Sequence, residues 1–384
     1  MSFTVRAGLR LVANAVIVAA FGVAAHAQGK NDVDPEYAKL SKLPNPYHLV
    51  TGWPTLPANL NDGKYVPHGH WGEVIRVHMA PDGNIWVLHR CFSNQPVSMA
   101  SCFDRGDANP PLLEFTPAGK LIKGIGVGLL AYPHGFDVDK DGNLYVSDIN
   151  NHPTILGVAA KNAAGVTLGQ DVLKISPDGK VLMTLGKEGV GGPGTDTFDE
   201  PSGVAVGPDG AIYVTDGHGG YDDQFNNARV MKFSRDGKFI KTWGKRGPAP
   251  GDFQGPHDIF VGGSKGWVYV VDRGNKRIQV FDQDGKLITI WKQFGTPNSV
   301  FVDKDDNIFV GSGASGGKSA VNDRGIVVGN AITGEPKYFI PDPGDLTKMI
   351  DTGSSASGIA EDAEGNIYAA DVGENNLRKY TKSK

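Results

Sequence analysis

A short strand–turn–strand pattern returns six times along this 384-residue chain, as in PHGFDVDKDGNLYVSD and PSGVAVGPDGAIYVTD. In each copy, apolar and polar residues alternate with the period of two that is typical of half-buried strands. A turn such as Asp-Gly-Asn then reverses the chain. Numbered one to six along the chain, the copies begin at Gly72, Pro133, Pro201, Pro256, Pro297 and Ala356.

Most copies continue into a third and a fourth strand joined by another turn, as in VLKISPDGKVLMTLG. Four short strands per unit, repeated every ~40 to 70 residues, are typical of the blades of a propeller. The sequence therefore predicts an all-β fold, a six-bladed β-propeller over residues 67–384 behind an N-terminal segment, 28–66. The last copy lacks its outermost strand; residues near Tyr47 to Thr51 could supply it and close the ring, or could belong to a longer N-terminal tail.

The first residues have the pattern of an export signal. Arg6 and Arg10 precede an apolar run from Leu11 to Ala25, and Ala25-His26-Ala27 has the small-x-small form of a cleavage site. We expect residues 1–27 to be a signal peptide, which implies a periplasmic or secreted protein with no membrane attachment after cleavage. A membrane anchor is the alternative interpretation.

Two cysteines, Cys91 and Cys102, are the only ones in the chain. In an exported protein they can form a disulfide, which would close a loop of about ten residues and contribute roughly 2–3 kcal/mol. Free thiols or soft metal ligands are the alternatives. The net charge is only −4 and no basic tract is present, so nucleic acid is not an expected partner.

The residue after the leading Pro or Ala of each copy begins the innermost strand, so in a propeller these residues gather at one mouth of the central channel. His134 and His257, from copies two and four, are the metal-ligating members, and two converging imidazoles suit Zn²⁺ or another divalent transition metal. An ordinary hydrogen-bonded histidine is the alternative for each. A catalytic zinc has three protein ligands, and the third is not evident. In chain order the mouth positions are Ile75, His134, Ser202, His257, Asn298 and Ser357.

Five segments give the chain a family resemblance: VLHRC with Arg90, YPHGF with His134, TDGHGGYDDQFNNAR with Tyr221, GPHDI with His257 and VVDRGNKRI with Arg273. With these segments it resembles the NHL-repeat β-propeller lyases that cleave peptidyl-α-hydroxyglycine, over nearly the whole chain after the signal. The resemblance implies a zinc held by three histidines from alternate blades. It also implies a tyrosine base, two arginines that bind the substrate, and a structural calcium in the channel.

Residue by residue, His134 and His257 match two of the zinc ligands, and Arg90 and Arg273 match the two arginines. Tyr221 is a displaced match to the base, because His218 stands directly after Asp216-Gly217. The third histidine belongs in copy six, where Ser357 stands instead; the aspartate that binds calcium is missing there too, so calcium is not expected at that position. His70 or His218 could complete the site, a different metal could bind with oxygen ligands, or the metal could be absent.

The leading hypothesis is an exported metal-dependent carbon–nitrogen lyase that releases glyoxylate from a small-molecule or peptide substrate with a carboxylate. Tyr221 or His218 would transfer a proton, and Arg90 and Arg273 would hold the carboxylate, unless each forms a structural ion pair. The alternative is a non-catalytic propeller that binds a peptide, glycan or protein. A calcium-dependent lactonase is a third hypothesis, but it would need several channel carboxylates. Nothing in the sequence indicates the oligomeric state.

Overall fold

The computed structural model describes residues 39–61, 63, 66–91, 109–149, 161, 164–219, 226–313, 324–344 and 355–383. The expected signal peptide, Cys102 and Tyr221 lie outside these residues, so the predictions for them, including the disulfide of Cys91, stay predictions. Among the described residues, no helix has the length and apolarity to cross a membrane.

The described chain forms a six-bladed β-propeller of four-stranded antiparallel sheets, as the repeats predict. Within each sheet the strands pair in order from the channel outward, because short turns join successive strands. Blade one contains β2 (Val74–Met79), β3 (Ile85–His89), β4 (Leu112–Phe115) and β5 (Leu121–Ile125); blade two contains β6 (Pro133–Val138), β7 (Leu144–Asp148), β8 (Asp171–Ile175) and β9 (Val181–Gly186). Blade three contains β10 (Pro201–Val206), β11 (Ile212–Asp216), β12 (Arg229–Phe233) and β13 (Phe239–Trp243); blade four contains β14 (Pro256–Gly262), β15 (Trp267–Asp272), β16 (Arg277–Phe281) and β17 (Leu287–Trp291). Blade five contains β18 (Pro297–Val302), β19 (Asn307–Ser312), β20 (Gly325–Asn330) and β21 (Pro336–Pro341).

The ring is closed by a strand from the N-terminal side. Blade six consists of β22 (Gly358–Glu361), β23 (Ile367–Asp371) and β24 (Asn376–Lys382), with β1 (Tyr47–Val50) as its outer strand. The register runs from Tyr47 opposite Lys382 to Val50 opposite Lys379. The N-terminal segment 28–66 therefore contains the strand that closes the ring, as the missing fourth strand of the last copy suggested.

Each blade buries one large aromatic side chain on its second strand, against the neighbouring blade. The exposed fraction of each is at most 1 %. Complete burial of such a side chain contributes about 1.5–3 kcal/mol through the hydrophobic effect. The six aromatic side chains therefore stabilise the contacts between neighbouring blades at equivalent points. They are Trp86, Tyr145, Tyr213, Tyr269, Phe309 and Tyr368.

The aspartates that close the second strands hold the connections between blades, as their turn chemistry predicts. Asp216 accepts a hydrogen bond from the Asp199 amide at 2.7 Å. Asp272 accepts one from the Gln254 amide at 2.7 Å. In both cases the bonded amide lies two residues before the inner strand, so the carboxylate fixes the start of that strand.

Candidate metal centre

Three buried imidazoles meet in the structure: His134, His218 and His257. Their ring centroids lie 4.9 Å apart for His134 and His218, 4.7 Å for His134 and His257, and 5.2 Å for His218 and His257. One ligand nitrogen from each lies within 4.8 Å of the others. Three histidine nitrogens at this spacing could hold one metal ion.

Backbone bulges turn the two predicted ligands toward the channel. In β14 the register passes from Pro256 to Asp258, so that His257 has no partner on β15. In β6 it passes from Pro133 to Phe136 and skips His134. A bulge re-aims the side chain of its extra residue. The repeat position that the sequence singles out is thus a bulge position, and Ser202 and Asn298 are skipped in the same way.

Hydrogen bonds set the tautomers of both rings. Nδ1 of His134 bonds the carbonyl oxygen of Ser202 at 2.6 Å, and Nδ1 of His257 bonds that of Asn298 at 2.7 Å. A carbonyl oxygen only accepts, so Nδ1 carries the proton and Nε2 presents its lone pair. Metal-bound histidines are oriented by this kind of bond. The mouth residues of the next blades therefore support the site with their backbone.

His218 reaches the group from a tight turn after β11. Gly217 has φ of +106°, and a Cβ on it would lie 1.8 Å from the backbone oxygen of Asn227, so only glycine fits there. The amide of His218 donates to the Glu200 carbonyl at 3.1 Å. His218 is not at a repeat-equivalent strand position, and the Asp216-Gly217 pair before it was the signal in the sequence.

Arginine charges surround the three rings. The guanidinium Nη2 of Arg273 lies 3.1 Å from Nε2 of His218, and since a guanidinium only donates, this nitrogen accepts. Burial lowers the pKa of all three histidines well below the ordinary value, and the charges of Arg273 and Arg76 lower it further at His218 and His257. The imidazoles are therefore neutral at pH 7, which is the form that binds a metal.

Arg90 forms a structural ion pair, which was the alternative role that the sequence allowed for this residue. Its Nη1 lies 2.5 Å from Oε2 of Glu73, its Nε donates to the Pro133 carbonyl at 3.1 Å, and its guanidinium lies 4.0 Å from the ring centre of Tyr132. For Arg273 the neighbouring Asp272 instead pairs with Arg277. Of the two predicted arginines, Arg273 has a described hydrogen bond to the histidine group.

Arg76 is a site residue that the sequence analysis missed. It follows the mouth position Ile75 in β2 and is 3 % exposed. Its guanidinium donates to the backbone oxygen of Ser357 and lies 3.4 Å from Oδ1 of Asp258. The signal was a single charged residue in the otherwise apolar strand start VIRV.

His70 lies outside the group that it was expected to complete. It is exposed and lines a separate cleft of about 520 Å³ together with Trp53, Trp71 and Glu374. His218 provides the third imidazole of the group in its place. Ser357 contributes a hydroxyl that accepts from Asn298 at 3.1 Å rather than a ligand.

A second set of possible ligands lies where blades five and six meet: Asp342 follows β21, Asp371 ends β23, and Glu374 lies three residues beyond it. Arg378 lies against all three carboxylates, 3.2 Å from Asp342, and Arg324 lies 3.6 Å from Asp342. Buried charges of opposite sign satisfy each other in such a network. We therefore interpret this group as a structural ion-pair network.

Comparison with known proteins supports the class that the fold and the site define. A family model described as a 6-bladed beta-propeller matches residues 209–326, and an NHL repeat model matches residues 130–153. Peptidyl-glycine alpha-amidating monooxygenase A of Xenopus laevis is 30% identical over 220 residues, which are 53% of this chain and 21% of that protein. The probable peptidyl-alpha-hydroxyglycine alpha-amidating lyase of Caenorhabditis elegans is 29% identical over 222 residues, 56% of this chain and 57% of that protein.

Peptidyl-alpha-hydroxyglycine alpha-amidating lyase 1 of Drosophila melanogaster is 28% identical over 229 residues, which are 56% of this chain and 35% of that protein. The matched region thus spans less than two thirds of each of these relatives. A gluconolactonase from Xanthomonas campestris shares the fold alone, with a TM-score of 0.53 at 16% identity, covering 87% of this chain and 100% of that one. The chain is a six-bladed β-propeller with a match to the NHL repeat, and it resembles the peptidyl-α-hydroxyglycine α-amidating lyases.

Proposed function

We propose that this protein is a metal-dependent carbon–nitrogen lyase that converts a peptidyl-α-hydroxyglycine, or a related substrate with a carboxylate, to an amide and glyoxylate. The observation that carries the proposal is the group of three buried, neutral imidazoles at the channel mouth. The resemblance to amidating lyases supports the reaction type.

His134, His218 and His257 would hold the metal, and their nitrogen donors suit zinc among the divalent transition metals. When bound, such an ion supplies Lewis acidity to a substrate oxygen. The residues fit this ligand set because Nε2 of His134 and of His257 is unprotonated and directed by carbonyl bonds on Nδ1.

The charge around the group suits an anionic substrate. Arg273 and Arg76 lower the pKa of His218 and His257 through their positive charge, and the same field attracts a carboxylate. The planar guanidinium of Arg273 matches a carboxylate in geometry, and its contact with His218 puts it beside the ligand nitrogens. We assign the substrate carboxylate to Arg273. The ion pair with Glu73 gives Arg90 a supporting role.

The proposed reaction needs no oxidant and no reductant. The hydroxyl of the substrate loses its proton to a base, the carbon–nitrogen bond breaks, and the nitrogen gains a proton. The products are the amide and glyoxylate. Because His218 belongs to the ligand set, we assign the base to Tyr221, three residues further along the chain.

A direct assay tests the proposal. The purified protein is reconstituted with zinc, its metal content is measured, and α-hydroxyhippurate is offered while glyoxylate is followed. We expect about one zinc per chain, with both zinc and glyoxylate lost in His134→Ala/His257→Ala. His70→Ala is the matched control, because it removes an exposed imidazole outside the group and should change neither.

Two results would reject the proposed lyase activity. Zinc bound without glyoxylate formation would leave a metal site with another chemistry. A protein that binds no transition metal would favour the non-catalytic propeller that recognises a peptide, glycan or protein. Export is also part of the proposal: mature protein from a periplasmic fraction should begin at Gln28 when its N-terminus is sequenced.

A further inference from the structure

Blades three and four each contain a buried ion pair, and the two pairs lie at equivalent register positions. At the ends of β11 and β12, Oδ2 of Asp216 lies 2.8 Å from Nε of its strand partner Arg229. At the ends of β15 and β16, Oδ2 of Asp272 lies 2.6 Å from Nε of its partner Arg277. In both blades, a guanidinium thus neutralises the aspartate beside the inter-blade loop. The arginines also donate to loop carbonyls, those of Pro193, Gly194 and Thr197 in blade three and Pro248, Ala249 and Asp252 in blade four.

Blade two replaces this cation with a second carboxylate. The register pairs Asp148 of β7 with Asp171 of β8, so Asp171 stands where the other two blades have arginine. Both residues are buried, with exposed fractions of 0 % and 1 %. Two carboxylates at one buried position repel each other unless a positive charge lies between them.

Hydrogen bonds satisfy both carboxylate oxygens of Asp148 but leave one oxygen of Asp171 without a partner among the described residues. Asp148 accepts from the amides of Ala131 at 2.6 Å and Tyr132 at 2.5 Å. Within the described part of the chain, Oδ1 of Asp171 is buried and has no hydrogen-bond partner. A buried, unsatisfied carboxylate oxygen is costly, so the oxygen needs a ligand.

The surrounding charge also favours a cation. Glu188 is half-buried, and its negative charge acts on both members of the pair. The positive charge of Arg90 acts in the opposite sense on Asp148, whereas the charges that act on Asp171 are negative. Burial raises the pKa of Asp148 to about 7, as it does for the arginine-paired Asp216, whereas burial and Asp148 raise the pKa of Asp171 well above its usual range. Without a bound cation the pair would therefore hold a proton at neutral pH, and a metal ion would displace that proton.

We propose that Asp148 and Asp171 bind a hard divalent cation of the calcium type, which takes the place that the guanidinium has in blades three and four. Carboxylate oxygens are among the ligands that calcium prefers. The site is independent of the proposed lyase activity, and it lies in blade two rather than at the blade-six position of the resemblance. Through Asp148 it would fix the amides just before His134.

Calcium titration of the full-length protein after chelation tests this site, with calorimetry for affinity and thermal unfolding for stability. We expect wild type to bind calcium and to gain thermal stability. Asp171→Asn should lose calcium affinity by more than about tenfold, because one charged ligand is gone. Asp171→Arg should restore the pair of blades three and four, so its unfolding temperature should no longer depend on calcium.

Asp196→Asn is the matched control, because it removes an exposed carboxylate that is paired with Lys187. It should respond to calcium as wild type does. The inference is overturned if Asp171→Asn keeps the wild-type response, since calcium then binds elsewhere. It is also overturned if wild type shows no calcium response, since the pair then holds a proton. Asp171→Arg and the wild-type titration decide the question even if Asp171→Asn fails to fold.

Discussion

The turn at Gly217 provides a sharp test of how His218 is positioned. Alanine there would have to adopt φ of +106°, and its Cβ would lie 1.8 Å from the Asn227 oxygen. The conformational strain alone costs about 1–2 kcal/mol. Relieving the overlap requires the backbone to shift by more than an ångström in addition, since an unstrained contact is about 3.2 Å or longer. We expect Gly217→Ala to lower the free energy of unfolding by about 3 kcal/mol or more.

Gly83→Ala is the matched control, because Gly83 has φ of +85° but no atom within 4 Å of the added Cβ. It should cost about 1 kcal/mol, the strain without the overlap. Denaturant unfolding measures both variants. Zinc competition with a chelator measures the second consequence: Gly217→Ala moves His218, so its affinity should fall about 10- to 100-fold, while Gly83→Ala keeps it. Equal destabilisation and unchanged zinc affinity in both variants would refute the positioning role of the turn.

Three further predictions concern charge. The pKa of the three histidines is lower in the folded protein than in the unfolded chain, so without metal the unfolded chain takes up protons first as pH falls. The free energy of unfolding should therefore decrease below pH of about 6.5. Denaturation at a series of pH values should show a flatter slope for His134→Ala/His257→Ala. Arg273→Ala should raise KM for the carboxylate substrate more than Arg273→Lys does, and an equal KM in both would contradict the assigned contact. Arg76→Met should cost about 3–5 kcal/mol in unfolding experiments, because it leaves Asp258 buried and unpaired, and a cost below 1 kcal/mol would contradict that pairing.

The repeats and the convergence of His134 and His257 followed from the sequence because their signals are local. Alternation and turns define strands over a few residues, and the common spacing in the copies places His134 and His257 at equivalent points. The closing strand near Tyr47 was inferred from a missing fourth strand in the last copy, and the pairing with β24 confirms it. All of these follow from patterns that the chain repeats.

The third imidazole could not be derived in this way. His218 is outside the repeat pattern, and its position depends on the left-handed turn at Gly217 and on the neighbouring loop at Asn227. His70 looked equivalent in the sequence, yet it is exposed beside the seam between blades six and one. Which loop histidine turns inward depends on contacts between distant segments, which no local spacing encodes.

The sequence by itself determined a ring of β-blades and the equivalent positions at its mouth, because strand periodicity and turn chemistry act between neighbours in the chain. The tertiary structure alone decided which side chains meet. It added His218 and Arg76 to the site, paired Arg90 with Glu73, and placed Asp171 opposite Asp148. The physical reason is that closing the ring brings loops from different blades within hydrogen-bonding distance, and burial then requires each of their charges to find a partner.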